Sequence, residues 1–497
     1  MRSLRTILHL IRNPRSGENL GQKIARNAFW LTAGDVLNRL LKAALIVFIT
    51  RTLPVSEYGA FSFSLNLLSL TFITADFGIS NVLQRKFSEK EDKEYFSTSF
   101  VIKVMLLVVA ILITTVAVKL SDPRITAIAF ILILMMAFDV LKGFFLVIPS
   151  SQNRMDKTAI ANTIETAVTV LVGFLILFKF PSARTLAWAY SLGAFVSLLF
   201  TLWSVRNYFK DFFAFVKKPL MKTIVAAGWP LALGGMAWGL MNTTDSLILG
   251  WLKGLELVAF YNAAAKIPQF LGPIGGIIIG ATFPSLVLTL KNPETHRRLF
   301  ERINELLFSI TIPIAAGGLI VATPLVVKLY GANYKPAAFV LGLLILNLVQ
   351  TAISFFLAQL IFVHNHQKKS LSYISLGWVL NIALCFALIP VYGMTGAALA
   401  SLLSQNLIFL SHVHFVRKTY GLNIFYGELI KPFVAASVMV AALLLIGAGQ
   451  GPVLFTIPFG AMIYGIILLA LKPKVLTDLK NIWKPAYPQA LPPIQPL

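Results

Sequence analysis

Apolar runs of helical length alternate with short polar breaks along the whole chain. They fall near residues 28–50, 59–80, 95–119, 125–148, 158–179, 185–205, 223–250, 258–290, 304–329, 337–363, 370–390, 394–416, 432–449 and 452–471. A helix needs about 20 mainly apolar residues to cross a bilayer, so the pattern predicts an all-α polytopic membrane protein with about fourteen transmembrane helices. Before the first run, Leu4, Ile7, Leu8 and Ile11 alternate with Arg2, Arg5 and Arg12, the arrangement of an amphipathic helix lying on the inner leaflet. Residues 1–23 therefore form a cytoplasmic tail, and the Pro-rich residues 472–497 a second one without a core of its own. No connection exceeds roughly 20 residues, too short for a soluble catalytic domain.

Composition strengthens that picture and charge orients it. The 497 residues are 57% hydrophobic and 13% charged, with a mean hydropathy of +0.79. In a soluble protein a net charge of +23 would suggest nucleic acid, but its distribution points elsewhere. The N-terminal tail and the segments after even-numbered runs carry 30 Lys and Arg, against 8 in the segments after odd-numbered runs. Basic loops stay on the cytoplasmic side, which places both termini in the cytoplasm and the chain in an inner or plasma membrane, with no nucleic-acid partner. The one cysteine, Cys385, excludes a disulfide framework and reads as a small packed hydrophobe. The chain contains no HExxH, P-loop or GxSxG motif. His364-Asn365-His366 lacks further ligands nearby and reads as a polar inner turn. Hence no catalytic residue, resident metal or cofactor is expected, and whatever the protein does must be done by its helices.

Several spans carry charge. Asp35, Arg39 and Lys42 occupy one sector of the first, four and three residues apart, and Asp76, Lys103, Asp139, Lys142, Glu165, Asp245 and Lys266 complete a set of five acids and five bases. A charge at the bilayer centre costs about 2.5–3.5 kcal/mol on insertion scales, so these side chains must face protein or water. Asp35 can neutralise Arg39, and Asp139 can neutralise Lys142; Lys103, near the end of its span, can snorkel. A wet cavity with Arg39, Lys42, Lys142 and Lys266 directed at an anion is the functional alternative to pairing alone. Asp35, Asp76, Asp139, Glu165 and Asp245 are then candidates for ion coupling or charge pairing.

The chain also hints at duplication. Glu57, Ala60 and Phe61 match Glu256, Ala259 and Phe260 at an offset of 199. Polar stripes Ser62, Asn66, Ser69 and Asn262, Lys266, Gln269 recur at an offset of 200, adding Asn66, Asn262 and Gln269 to the cavity-lining candidates. A six-plus-six parallel repeat is the economical account: residues 24–222 as one lobe, 223–431 as the other, and two appended helices within 432–471. Gly and Pro cluster in the eighth run (Pro268, Gly272, Pro273, Gly275, Gly276), where they would loosen or kink it or let helices pack closely.

"FITRTLPVSEYGAFSF", "ADFGISNVLQRKFS", "TDSLILGWLKGLELVAFYNAAAKI", "FPSLVLTL" and "LIPVYGMTGAALASLLSQN" together resemble the Wzx-type polysaccharide transporters of the multidrug/oligosaccharidyl-lipid/polysaccharide flippase superfamily, over most of residues 24–471. The resemblance implies a V-shaped pair of pseudo-symmetric six-helix lobes that alternates access. Its implied cargo is a polyprenyl-diphosphate-linked sugar whose tail stays in membrane lipid, along a groove that the two last helices help to form. Coupling to a H+ or Na+ gradient or to the membrane potential is implied as well, as are polysaccharide polymerase or glycosyltransferase partners. Two rivals stand beside it. A multidrug antiporter of the same superfamily predicts an acid-dominated cavity, whereas here bases equal acids. A membrane-embedded polymerase or glycosyltransferase predicts a large outer loop or a carboxylate cluster, and the sequence has neither.

Overall fold

The computed structural model describes residues 20–89, 91–119, 122–208 and 215–471; the expected surface helix up to residue 19 and the Pro-rich residues 472–497 lie outside them. Sixteen α-helices account for nearly all of the described chain: α1 Leu20–Thr52, α2 Val55–Asp76, α3 Ile79–Glu89, α4 Lys93–Lys119, α5 Pro123–Ser151, α6 Met155–Lys179, α7 Ala183–Ser204, α8 Lys218–Lys253, α9 Leu255–Leu271, α10 Pro273–Thr289, α11 Pro293–Tyr330, α12 Ala337–Val363, α13 Gln367–Tyr392, α14 Met394–Tyr420, α15 Ile430–Leu445 and α16 Val453–Ala470. Twelve segments among the described residues are long and apolar enough to cross a membrane, α9 and α10 counting as one. The 33-residue α1 and the 36-residue α8 are long enough as well. The expected all-α, many-span protein is what folds.

Local chemistry sets the helix ends. Asp122 caps α5 by accepting from the Arg124 amide at 2.8 Å, with Pro123 in the first turn, and Ser182 caps α7 from the Arg184 amide at 3.1 Å. Both satisfy an amide that the helix itself leaves without a partner. Gly254, at φ +93°, separates α8 from α9. The long eighth apolar run is interrupted at Gly272 between Pro268 and Pro273, as its proline spacing leads one to expect.

Two compact units emerge. The first comprises the chain up to Lys266 with Leu329–Val340 and Ile374–Ser401; the second comprises Ile267–Lys328, Leu341–Tyr373 and the chain from Leu402. The first unit thus draws on both halves of the sequence. In it, α1 lies along α6 through Gly34 against Ala159, Leu45 against Gly173, and Phe48 against Phe174 at 4.5 Å. The short α3 buries Ile79, Val82, Leu83 and Phe87 at one end of this unit, against Phe96, Phe144 and Phe145. Near the α1–α2 turn the packing is tightest. A β-carbon on Gly59 would lie 1.9 Å from the Leu255 carbonyl oxygen, and one on Gly250 would lie 2.4 Å from the Phe63 ring. Tyr334 is wedged there between Tyr58, Phe260 and Tyr330.

The second unit has its own core, built on Phe300, Phe308, Phe356, Leu357, Met439 and Tyr464. The last two helices contribute directly to it. The Tyr464 hydroxyl donates to the Ser309 carbonyl at 2.7 Å, and Met439 packs on Gly317.

Candidate functional site

The charged candidates gather in the first unit, and the fold sorts them into distinct arrangements. On α1, the Arg39 guanidinium donates to Asp35 at 2.7 Å, the pairing that their four-residue spacing allows. The sector bearing Asp35, Arg39 and Lys42 lies about a third of a turn from the face packed on α6, and Asp35 and Lys42 are exposed. Lys42 is within electrostatic reach of both Asp139 on α5 and Lys266 on α9. Three of the expected cavity-lining cations, Arg39, Lys42 and Lys266, therefore belong to one unit.

Lys142 stands differently. It is buried, and its ammonium donates to Asp139 at 2.8 Å and also to Glu165 on α6. Two carboxylates from two helices share this one ammonium. Glu165 is held in register by close packing behind it, since a β-carbon on Gly193 of α7 would fall 2.0 Å from the Thr169 hydroxyl and 2.8 Å from the Glu165 carbonyl. Lys103 does not snorkel. It is 2% exposed and donates to Asp76, whose other partner is Ser80 at 2.5 Å; Ser80 also accepts from Lys103 at 3.1 Å.

The two polar stripes meet. Asn66 of α2 donates to Ser246 of α8 at 2.8 Å and to the Asn262 side-chain oxygen of α9 at 3.2 Å, while Asn262 donates to the same Ser246 hydroxyl at 2.7 Å. Gln269 is exposed and belongs to the second unit.

Asp245 of α8 occupies a shell that the sequence reading missed. The Tyr261 hydroxyl donates to it at 2.7 Å and the Cys385 thiol at 3.3 Å, with Asn381 and Ser401 also bonded to it. Cys385 is buried as expected, but it is a hydrogen-bond donor rather than an inert hydrophobe. The available signal was the four-residue spacing of Asn381 and Cys385 on an otherwise apolar helix. Also unread was a polar seam in the second unit, where Gln350 of α12 donates to Asn406 of α14 at 3.0 Å and Gln405 donates to Thr351 at 3.0 Å. His364 and His366 sit in the turn after α12, with Asn365 at φ +61°, and His366 bonds the Tyr420 hydroxyl at 2.9 Å. Among the described residues no three His, Cys, Asp or Glu side chains gather to hold a metal.

Chemically, this unit sets fixed cations beside an acid pair and a buried acid in a neutral polar shell, all inside membrane-spanning helices. Such a set can solvate an anionic head in place of water. Residues 24–289 match the model of a family described as polysaccharide biosynthesis protein. The chain is 23% identical over 482 residues to the "Probable low-salt glycan biosynthesis flippase Agl15" of Haloferax volcanii, covering 92% of this chain and 98% of that one. Among solved structures, the fold is shared with the lipid II flippase MurJ in an inward closed conformation, at TM-score 0.74 and 14% identity over 90% of this chain and 99% of that one. It is shared too with a structure described as the inward-facing conformation of a multidrug resistance MATE family transporter of the MOP superfamily, at TM-score 0.62 and 16% identity over 77% of this chain and 96% of that one.

Proposed function

Because the chain belongs to the polysaccharide biosynthesis protein family, we propose that it is a flippase that moves a polyprenyl-diphosphate-linked oligosaccharide from the cytoplasmic to the outer leaflet by alternating access, for cell-surface polysaccharide synthesis. In this reading it lies in the inner or plasma membrane with both termini cytoplasmic. The observation that carries the reading is the embedded cation set, Arg39, Lys42 and Lys266, in a chain that aligns over 92% of its length with a probable glycan biosynthesis flippase. A diphosphate head is too polar to enter hydrocarbon alone. Cations that bind it moderately lower that barrier without trapping the head.

The tight packing at the α1–α2 turn supports a state that is closed at that end. With basic loops inside, that turn lies at the outer surface, and Gly59 against Leu255 closes it. The head then enters from the cytoplasmic side, and the prenyl tail remains in lipid. Asp245 is the best-placed coupling residue for a H+ or Na+ gradient, because a buried carboxyl among neutral donors changes its interactions most when it gains or loses a small cation. A polymerase or glycosyltransferases would act on the cargo before and after.

The test is mass spectrometry of lipids co-purified from native membrane, paired with flipping assays. We expect a polyprenyl-diphosphate sugar enriched over the bulk extract. Each of Arg39→Ala, Lys42→Ala and Lys266→Ala should slow flipping by about tenfold, the loss of one charge-assisted contact of about 1.5 kcal/mol. Recovery of phospholipid alone, with undiminished transport in all three variants, would reject the reading in favour of ion-coupled drug efflux.

A further inference from the structure

A triad of neutral polar side chains joins three helices of the first unit. On α2, Gly59, Phe63 and Asn66 follow one another at about one turn. The first two meet the Leu255 carbonyl and Gly250 in contacts that leave no room for a β-carbon. The third donates to Ser246 of α8 and to the Asn262 oxygen of α9, and Asn262 donates to the same serine. The triad marks a boundary. Residues 58–64 of α2 and 258–264 of α9 are buried, whereas residues 65–67 and 265–268 are half-buried. Asn66 thus stands at the inner edge of a dry layer. A side-chain amide has two N–H donors and one oxygen. Asn66 commits its donors to Ser246 and Asn262, and Asn262 commits its donors to Ser246 and the Val258 carbonyl at 3.0 Å. The Asn66 side-chain oxygen has no hydrogen-bond partner among the described residues and stays accessible. Lys266, of the expected anion site, follows Asn262 by four residues, about 6 Å along the helix axis and comparable with the width of a sugar ring. A sugar bonded to a diphosphate at Lys266 therefore comes within reach of the triad.

We propose that the first sugar of the cargo unlocks this triad: one of its hydroxyls donates to the Asn66 oxygen, and its other oxygens take the amide donors of Asn66 and Asn262 away from Ser246, which frees α2 from α8 and α9. Without a sugar, parting these helices leaves the donors of two amides without partners in a dry layer, which is costly. With a sugar the bonds are exchanged rather than lost. A ligand shifts a conformational equilibrium only by binding one state better than the other, and the parted triad offers a sugar more hydrogen bonds than the joined one. A bare diphosphate engages the cations but not the amides, so it leaves the triad joined. The inference rests on the flippase reading above and adds which part of the cargo opens the contact.

The experiment follows a thiol placed in the dry layer. Ser62→Cys puts one between Gly59 and Asn66, at a position 7% exposed. Its alkylation by a maleimide, read by peptide mass spectrometry on the full-length protein in lipid nanodiscs, reports the parting of the helices. Two saturating probes are compared, farnesyl diphosphate and the same molecule carrying N-acetylglucosamine on its terminal phosphate, with binding of each measured by calorimetry. The sugar-bearing probe should speed alkylation about tenfold over the bare one. Ser62→Cys combined with Asn66→Leu should react fast without any probe and lose its dependence on the sugar. Asn262→Leu should do the same and stands in if Asn66→Leu fails to fold. A merely structural triad would give equal rates with the two probes. That result with both probes bound, binding of the bare probe alone, or a sugar effect that survives both substitutions would overturn the inference and leave the cationic reading standing. Binding of neither probe would overturn both.

Discussion

Lys103 and Lys142 show how far single residues can be read from sequence. Their presence in spans, and the requirement that they face protein or water, follow from insertion cost alone. Their partners do not, because a lysine stem reaches several neighbours and only the tertiary fold decides between them. Asp139 is within reach of Lys142 on its own helix, but Glu165 arrives from the next helix, 23 residues further on, and Lys103 meets Asp76 across a gap of 27 residues. That second pair makes a stability prediction. Asp76→Ala leaves the Lys103 ammonium buried without its counter-charge and should cost about 3 kcal/mol, read as earlier thermal unfolding in detergent. Adding Lys103→Met should restore most of the loss, since a buried ion pair replaced by apolar side chains is often neutral. If the double variant unfolds as early as the single one, the pair is holding more than itself.

At the scale of elements, length and hydropathy make the spans legible, and most described helix ends fall within a few residues of the expected runs. The exceptions are instructive. Ile79, Val82, Leu83 and Phe87 carry a clear helical period, yet α3 has only 11 residues, too few to cross a bilayer, and most of it falls in the polar break between two apolar runs. Helix proximity was equally hidden. The glycine in "SEYGAF" falls at a position that the Glu57, Ala60 and Phe61 repeat leaves open, with Val258 opposite it, while its structural role is to let α2 approach the backbone of α9 where no β-carbon fits. Gly59→Val should therefore hold that end of the unit open. A cysteine placed at Ser62, one turn below, should be alkylated faster by a membrane-impermeant maleimide in this variant than in the Ser62→Cys parent. Equal rates would mean that the contact is not a closure.

Over the whole molecule, the last two helices read in sequence as an appendage to a six-plus-six repeat. In the structure they belong to a core: Met439 and Tyr464 lie among Phe300, Phe308 and Phe356. The repeat pattern could not reveal this, since an apolar helix carries the same signature whether it faces lipid or protein. Ending the chain before Ile430 should thus destroy the second unit rather than merely shorten the protein. The expected result is aggregated material on size exclusion in detergent. A monodisperse truncated protein that still binds a prenyl diphosphate would show that α15 and α16 are accessory after all.

Thiol chemistry inherits a constraint from the shell of Asp245. Introduced cysteines are usually studied on a background stripped of native ones, but here the sole native thiol donates to the buried acid. Replacing Cys385 by alanine is consequently not a silent clearing of the background; serine, which keeps a donor in place, is the safer choice. Left as it is, Cys385 is a built-in reporter, whose alkylation requires that the interior around Asp245 has opened.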